Sequence, residues 1–197
     1  MNLPITFKIT KTSIDNLMKY FKLETIRKYC TSCPNFNKNW SCPNYTFDEK
    51  DYITNYNFAY VISSKLYFKD IQDTINDLKT KNKSDKQISY EIYLQLRKNV
   101  DKKMFDIEQL FPNTTILLGG SCNKCAKCTR LENKPCLHPE NIRYSLESLG
   151  FEVSSITKNL LNEEIQFTKD KLPEYTLSVS AILSKDNLDI NKIQKLL

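Results

Sequence analysis

The fold is decided by residues 85–120, DKQISYEIYLQLRKNVDKKMFDIEQLFPNTTILLGG. Their first part carries an apolar side chain every three or four residues, which forms one apolar stripe along a long helix over 85–111. Pro112 marks the end of that helix. The second part, 114–118, has the composition of a short buried strand. A long helix that leads directly into a strand is typical of an α/β protein.

On both sides of this segment, helical and extended patterns follow one another. Together they predict an α/β (α+β) fold, a mixed β-sheet with flanking helices, as one metal-binding domain over 1–197. A right-handed crossover is expected to connect its first two strands. The further predicted helices cover 12–29, 69–80, 139–149 and the tail from Leu188; the predicted strands cover 58–63, 114–118, 151–153 and 175–183, the last of them half-exposed.

The seven cysteines of the chain all lie in two loops, 30–48 and 119–139. Thiolates are soft ligands that favour zinc, Cu(I) and iron–sulfur clusters, and two-residue spacings let one turn aim neighbouring sulfurs at one centre. The two loops therefore predict metal binding. The first loop has the pattern C-x2-C-x8-C at Cys30, Cys33 and Cys42, and the second has C-x2-C-x2-C-x7-C at Cys122, Cys125, Cys128 and Cys136.

The second loop offers four thiolates, a complete ligand set for a [4Fe–4S] cluster. Its C-x2-C-x2-C opening is related to that of bacterial ferredoxins, with the fourth ligand, Cys136, a little farther along. Gly119 and Gly120 precede it and permit a sharp turn or a close approach to an inorganic centre. A closed four-thiolate zinc site is the alternative, although zinc motifs usually consist of two separated C-x2-C pairs.

The first loop offers only three thiolates, and three interpretations remain open. It could hold a second cluster with one iron left for solvent or substrate. It could take a fourth ligand from His138, the only histidine. It could also be a structural zinc knuckle, since seven cysteines and one histidine are enough for two closed tetrahedral sites.

Aromatic and basic side chains are interspersed among the cysteines. The aromatic residues could shield a cluster from water or form a small core under the first loop. The basic residues could offset the charge of a cluster or face a redox partner, but we expect them to be solvated. The aromatic residues are Phe36, Trp40 and Tyr45, and the basic ones are Lys124, Lys127 and Arg130.

The composition narrows the class of protein. A formal charge of +6 would suit nucleic-acid binding, but the basic residues are scattered, so we expect no nucleic-acid partner. The N-terminal residues do not resemble a secretion signal and no apolar run is long enough to span a membrane, so a cytoplasmic location and no membrane partner are expected. Dinucleotide-binding, P-loop, serine-hydrolase and zinc-protease motifs are missing, as is the cysteine spacing typical of radical SAM enzymes.

Taken together, the segments CTSCPNFNKNWSCPN and GGSCNKCAKCTRLENKPCLHPENIRYSLESLGFEV resemble the predicted metal-binding proteins grouped as domain of unknown function 2284. Asn44 departs from the proline expected there in this family. The resemblance implies metal binding at all seven cysteines and favours iron–sulfur clusters. It implies no particular reaction.

The sequence therefore predicts two [4Fe–4S] clusters, one bound by four cysteines and one by three with an open iron. Such a protein would transfer electrons to or from a redox protein, or reduce a small-molecule substrate at the open iron. A zinc-stabilised interaction module without redox chemistry is the alternative, as is a metal-trafficking or metal-sensing protein. The number of subunits is left open.

Overall fold

The computed structural model describes residues 3–169 and 171–197, which contain four β-strands and seven α-helices. The strands are β1 (Thr6–Ser13), β2 (Phe58–Tyr67), β3 (Thr114–Leu117) and β4 (Tyr175–Ser184). The helices are α1 (Ile14–Leu17), α2 (Leu23–Thr31), α3 (Glu49–Thr54), α4 (Gln72–Thr80), α5 (Asp85–Leu110), α6 (Val153–Leu161) and α7 (Ile190–Leu196). The predicted α/β class is confirmed.

The four strands form one sheet in the order β1-β2-β4-β3. Every neighbouring pair is antiparallel, so the prediction of a mixed sheet is wrong. The strands β2 and β3, which we expected a crossover to connect, run parallel to each other on either side of β4, which pairs with both. In the pairing of β2 with β4, Ser64 lies opposite Ser178, and in the pairing of β3 with β4, Leu117 lies opposite Ala181. The last strand of the chain thus completes the middle of the sheet.

Helices cover both faces of the sheet. One face packs against α4, α5 and α7, and the other packs against α1, α6 and the segment around Leu146 to Phe151. As a result, all ten residues of β4 are buried, and the expectation of a half-exposed strand is wrong. The alternation of serine with apolar residues in this strand reflects close packing on one face and not exposure to water.

Helix α5 confirms the prediction from its apolar stripe. Ser84 and Gln87 form a capping box at its start, in which each side chain bonds to the other residue's backbone amide. The stripe is buried against the sheet at Ile88, Ile92, Leu96, Val100, Met104 and Ile107. Among the described residues, no helix combines the length and the apolar character that crossing a membrane requires.

The N-terminal region differs from the predicted helix over 12–29. Residues Thr6–Ser13 form the edge strand β1, and Ser13 then caps the short helix α1 by accepting a hydrogen bond from the Asn16 amide at 3.2 Å. The helical run is interrupted at Phe21, which forms an isolated bridge with Phe151. It resumes as α2, which carries Cys30 in its last turn. A helix therefore leads into the first cysteine, as predicted, and includes it.

The segment after the second cysteine loop is not the helix predicted over 139–149. It contains a 3₁₀ turn at Pro139–Asn141, an irregular stretch over 142–145 and a further turn over 146–150. Arg143 is drawn to α5, where its Nε and Nη2 atoms donate to both carboxylate oxygens of Glu108 at 2.7–3.0 Å. Tyr144 enters an aromatic cluster under the first loop. These distant contacts outweigh the local helical preference. The strand predicted over 151–153 is reduced to the Phe151 bridge, because α6 begins at Val153.

Gly150 packs closely against Leu23, the first residue of α2, and this contact gives a prediction for the stability of the protein. It has φ +92°, and an added Cβ would lie 3.1 Å from Leu23 Cα and 2.8 Å from Leu23 Cδ1. We expect Gly150→Ala to lower the free energy of unfolding by roughly 1–3 kcal/mol, measured by chemical denaturation. Asn162→Ala is the control, because exposed Asn162 also has positive φ (49°). An equal cost in both variants would contradict the role of the Leu23 contact.

Candidate metal centre

The first cysteine loop begins at the end of α2 and continues through tight turns. The Cys33 amide donates to the carbonyl of Cys30 at 2.9 Å, and the Cys42 amide donates to the carbonyl of Asn39 at 2.9 Å. Cys33 is exposed, Cys30 is half-buried and Cys42 is buried. The three thiols therefore lie at different depths of one loop, with Cys42 farthest from water.

These three cysteines line one cavity of about 320 Å³. Burial raises the pKa of Cys42 to about 11, with a smaller contribution from the nearby Cys33 and Cys30 thiols. Burial also raises the pKa of Cys30, while the Arg27 guanidinium opposes that shift. Both thiols hold their protons at neutral pH, so metal binding here has to release protons.

The four cysteines of the second loop are all half-buried and line one small cavity of about 20 Å³. Burial raises the pKa of Cys122, and the neighbouring Cys136, Cys125 and Cys128 raise it as well. The sequence motif thus brings its members around a common point. Two separate cavities divide the seven cysteines into the same sets of three and four that the spacing indicates.

His138 lies with the second set of cysteines. It is exposed, it lines the same small cavity, and its backbone amide donates to Cys136 Sγ at 3.4 Å. The cavity of Cys30, Cys33 and Cys42 is lined without it. Its role as a metal ligand stays a prediction, and its position favours the second loop over the first.

The glycine pair before the second loop has the role expected from the sequence. An added Cβ at Gly119 would lie 2.2 Å from Ser178 Oγ on β4, and Gly120 has φ +78°. Gly119 therefore allows the backbone to run against the sheet, and Gly120 turns it toward the cysteines. The loop leaves the sheet at a fixed point and in a fixed direction.

Arg130 joins the two cysteine loops. Its Nη1 atom donates to the carbonyls of Asn39 and Cys42 at 2.8 and 2.5 Å, and Nη2 donates to Asn37 Oδ1 and the Asn44 carbonyl at 2.8 and 2.7 Å. Its guanidinium also lies 5.1 Å from the centroid of the Trp40 ring. The prediction that Arg130 is simply solvated is wrong, because one planar guanidinium holds four acceptors of the first loop.

A second set of contacts joins the loops beside Cys122. The Cys122 amide donates to Ser41 Oγ at 2.7 Å, and Asn39 Nδ2 donates to the Cys122 carbonyl at 2.8 Å. Asn35 Nδ2 donates to Ser121 Oγ at 3.1 Å. Because Ser41 directly precedes Cys42, these bonds fix the backbones of the two cysteine sets next to each other.

The three aromatic residues of the first loop have three different positions. Phe36 lines the cavity of the three cysteines, and Trp40 lines that of the four. Tyr45 instead stacks on Phe47 with ring centroids 4.8 Å apart, and its hydroxyl donates to the Ser41 carbonyl at 2.7 Å. The interpretation as a small core is confirmed for Tyr45, whereas shielding of a cluster by Phe36 and Trp40 stays a prediction.

Sequence reasoning missed three residues at the cavity of the first loop, namely Tyr93, Arg97 and Glu147. Arg97 is buried, and its Nη2 donates to the Ser121 carbonyl at 2.9 Å and lies 3.4 Å from Asp101 Oδ2. Burial raises the pKa of Tyr93 to about 12 and raises that of Glu147. No local motif marks these residues, since they reach the cysteines only through the fold.

Among residues 3–169 and 171–197, no three histidine, cysteine, aspartate or glutamate side chains are arranged so that they could hold a single metal ion. The soft thiolate donors and their grouping fit a metal centre, which the four cysteines would hold in the second loop and the three cysteines in the first.

Comparison with known proteins gave one match. A family model described as predicted metal-binding protein (DUF2284) matches residues 19–183. These residues include both cysteine loops, β2, β3 and all of β4 except its last residue. Neither the search of curated proteins nor the search of solved structures gave a match.

Proposed function

This chain belongs to the DUF2284 family of predicted metal-binding proteins, and we propose that it binds two iron–sulfur clusters. The first is a [4Fe–4S] cluster on Cys122, Cys125, Cys128 and Cys136. The second is a cluster on Cys30, Cys33 and Cys42, with one iron that has no protein ligand. The observation that carries the proposal is the division of the seven cysteines between two cavities.

The contacts between the loops support a joint function of the two centres. When bound, such clusters supply one-electron chemistry. The protein holds the two cysteine sets together through Arg130 and through the Ser41–Cys122 bond. Trp40 lies between the loops, because it lines the four-cysteine cavity and stacks under Arg130. This arrangement suits electron transfer between the centres, or delivery of electrons from the four-cysteine centre to a reaction at the open iron.

Electron delivery from outside requires access to the surface, and the loops provide it. Cys33 is exposed, and residues 131–135 of the second loop are exposed as well. We infer that a redox protein in the cytoplasm docks on this exposed part of the second loop. Reduced thiols are maintained in that compartment, so cysteines remain available as ligands there.

Anaerobic purification with quantitation of iron, sulfide and zinc tests the proposal. We expect a coloured protein with about eight iron and eight sulfide per chain, and visible absorption that bleaches with dithionite. A colourless protein with about two zinc ions would show a zinc-stabilised module and end the redox proposal. About four iron and four sulfide would leave only the four-cysteine cluster.

A further inference from the structure

The cavity of the three cysteines adjoins a second cavity of about 420 Å³. Tyr90, Tyr93 and Glu147 line both of them. The outer cavity is bounded by residues of α5, β4 and the segment 165–168. A molecule bound beside the cysteines could therefore extend along the tyrosines into this outer space. Together the two volumes leave room for a small molecule beside a centre on the three cysteines.

The side walls of the inner cavity suit a flat apolar group. Phe36 and Pro43 come from the first cysteine loop, whereas Tyr90, Tyr93 and Leu94 come from one stretch of α5. Tyr90 is 63% exposed, so its ring is free to pack against a bound molecule. Aromatic walls bind rings by offset or edge-to-face packing.

The polar end of the cavity is formed by Arg97 and Glu147. Arg97 is only 4% exposed, and its Nε atom is buried without a hydrogen-bond partner. Glu147 Oε2 is likewise buried and unpartnered. Buried polar groups are nearly always paired, so each of these two atoms can form a hydrogen bond with a bound molecule or a water.

The buried guanidinium of Arg97 offers the cavity a positive group to which an anionic ligand could bind. Arg97 is the only cationic side chain among the described residues that line it. Burial raises the pKa of Glu147, which favours the neutral acid, and a neutral carboxyl group can donate a hydrogen bond. Asp101, whose Oδ2 lies 3.4 Å from Arg97 Nη2, offsets part of the Arg97 charge. Burial raises the pKa of Asp101 to about 6, so it is a weaker acid than an ordinary aspartate but is still ionised at neutral pH.

From these observations we propose that the cavity bounded by Cys30, Cys33, Cys42, Arg97 and Glu147 binds a small aromatic carboxylate. The ring packs among Phe36, Tyr90 and Tyr93, and the carboxylate lies toward Arg97 and Glu147. This inference rests on the proposed function in one respect, since the ligand becomes a substrate only if the three cysteines hold an open iron. It makes the aromatic acid the substrate class of that centre.

Calorimetric titration of the anaerobically purified full chain with benzoate tests the proposal. Benzamide serves as the ring without the charge, and acetate serves as the charge without the ring. We expect benzoate to bind at least about tenfold more tightly than either control, because each lacks one of the two contacts. Equal affinities for benzoate and benzamide would contradict the proposed role of the carboxylate. The absence of benzoate binding would contradict the proposed binding site.

A pair of variants on one helix locates the binding. Tyr90→Ser removes a ring that lines both cavities and should weaken benzoate binding about tenfold or more. Leu110→Ser is the matched control, since it removes another large exposed side chain (61% exposed) at the far end of α5. An unchanged affinity in Tyr90→Ser, or an equal loss in both variants, would contradict the site.

Iron and sulfide are measured in the same samples, so the two proposals fail separately. Benzoate binding to a protein that contains zinc would support the ligand site and overturn the iron–sulfur function. Two clusters without benzoate binding would support the function and overturn the ligand site. A change in the electron paramagnetic resonance spectrum of the reduced protein on adding benzoate would support binding next to the open iron.

Discussion

Replacement of Cys128 by serine is expected to remove the cluster of the second loop and about half of the iron and sulfide. Cys128 is the third of the four cysteines in this loop and lines their common cavity. The loop has little structure of its own, with a single 3₁₀ turn at Thr129–Glu132 before the turn at Pro139–Asn141. Binding free energy at such a site contributes to folding, so the unfolding temperature should fall as well.

Cys33→Ser is the matched variant in the first loop. Cys33 is exposed, so its replacement by serine removes a ligand with little loss of packing. We expect this variant to keep the cluster of the second loop and the unfolding temperature, and to lose the iron of the first. Iron content and thermal unfolding measured on both variants separate the two roles. An equal fall of the unfolding temperature in both variants would contradict the division into a structural and a reactive centre.

The second large effect is expected for Arg130→Lys. The lysine keeps the positive charge, but its single nitrogen cannot reach the four acceptors that the guanidinium holds. A hydrogen bond to a charged group contributes about 1.5 kcal/mol, and 1.4 kcal/mol corresponds to a factor of ten. We therefore expect iron release to a chelator to become at least about tenfold faster. The rate is measured from the absorbance of the iron–chelator complex.

Lys127→Arg provides the control for that experiment. Lys127 lies in the same loop, is exposed, and pairs only with Glu132 at 3.0 Å among the contacts described. An ion pair at this exposure contributes little, so the rate of iron release should stay unchanged. If Arg130→Lys released iron no faster than Lys127→Arg, the connection between the loops would have no role in metal retention.

The parts of the fold that depend on local patterns could be predicted from the sequence. Helix α5 follows from its apolar stripe and its cap at Ser84, and the grouping of the cysteines follows from their spacing. The edge strand β1 was missed because TFKITKTS is mostly polar, and its last residue, Ser13, is also a helix cap. An element whose pattern and cap lie within its own residues can be predicted, whereas an edge strand that depends on pairing with its neighbour cannot.

The parts of the site that depend on distant partners could not be predicted. Arg130 acts on residues more than eighty positions earlier, and Arg97 acts on Ser121 across 24 positions. In the sequence, Arg143 fits a helical pattern, and only the fold shows that it bonds to Glu108. In each case the side chain carries no mark of its partner, because the fold alone brings the two together.

The position of β4 in the sheet determines when the paired loops can form during synthesis. Both loops are complete by residue 139, but β2 and β3 have no common edge until residues 175–184 lie between them. On the ribosome, the loops and the residues that pair them are therefore synthesised before the strand that completes the sheet. We expect the pairing held by Arg130 to become stable only after residue 184 has been translated, because the strands that position the two loops are then joined.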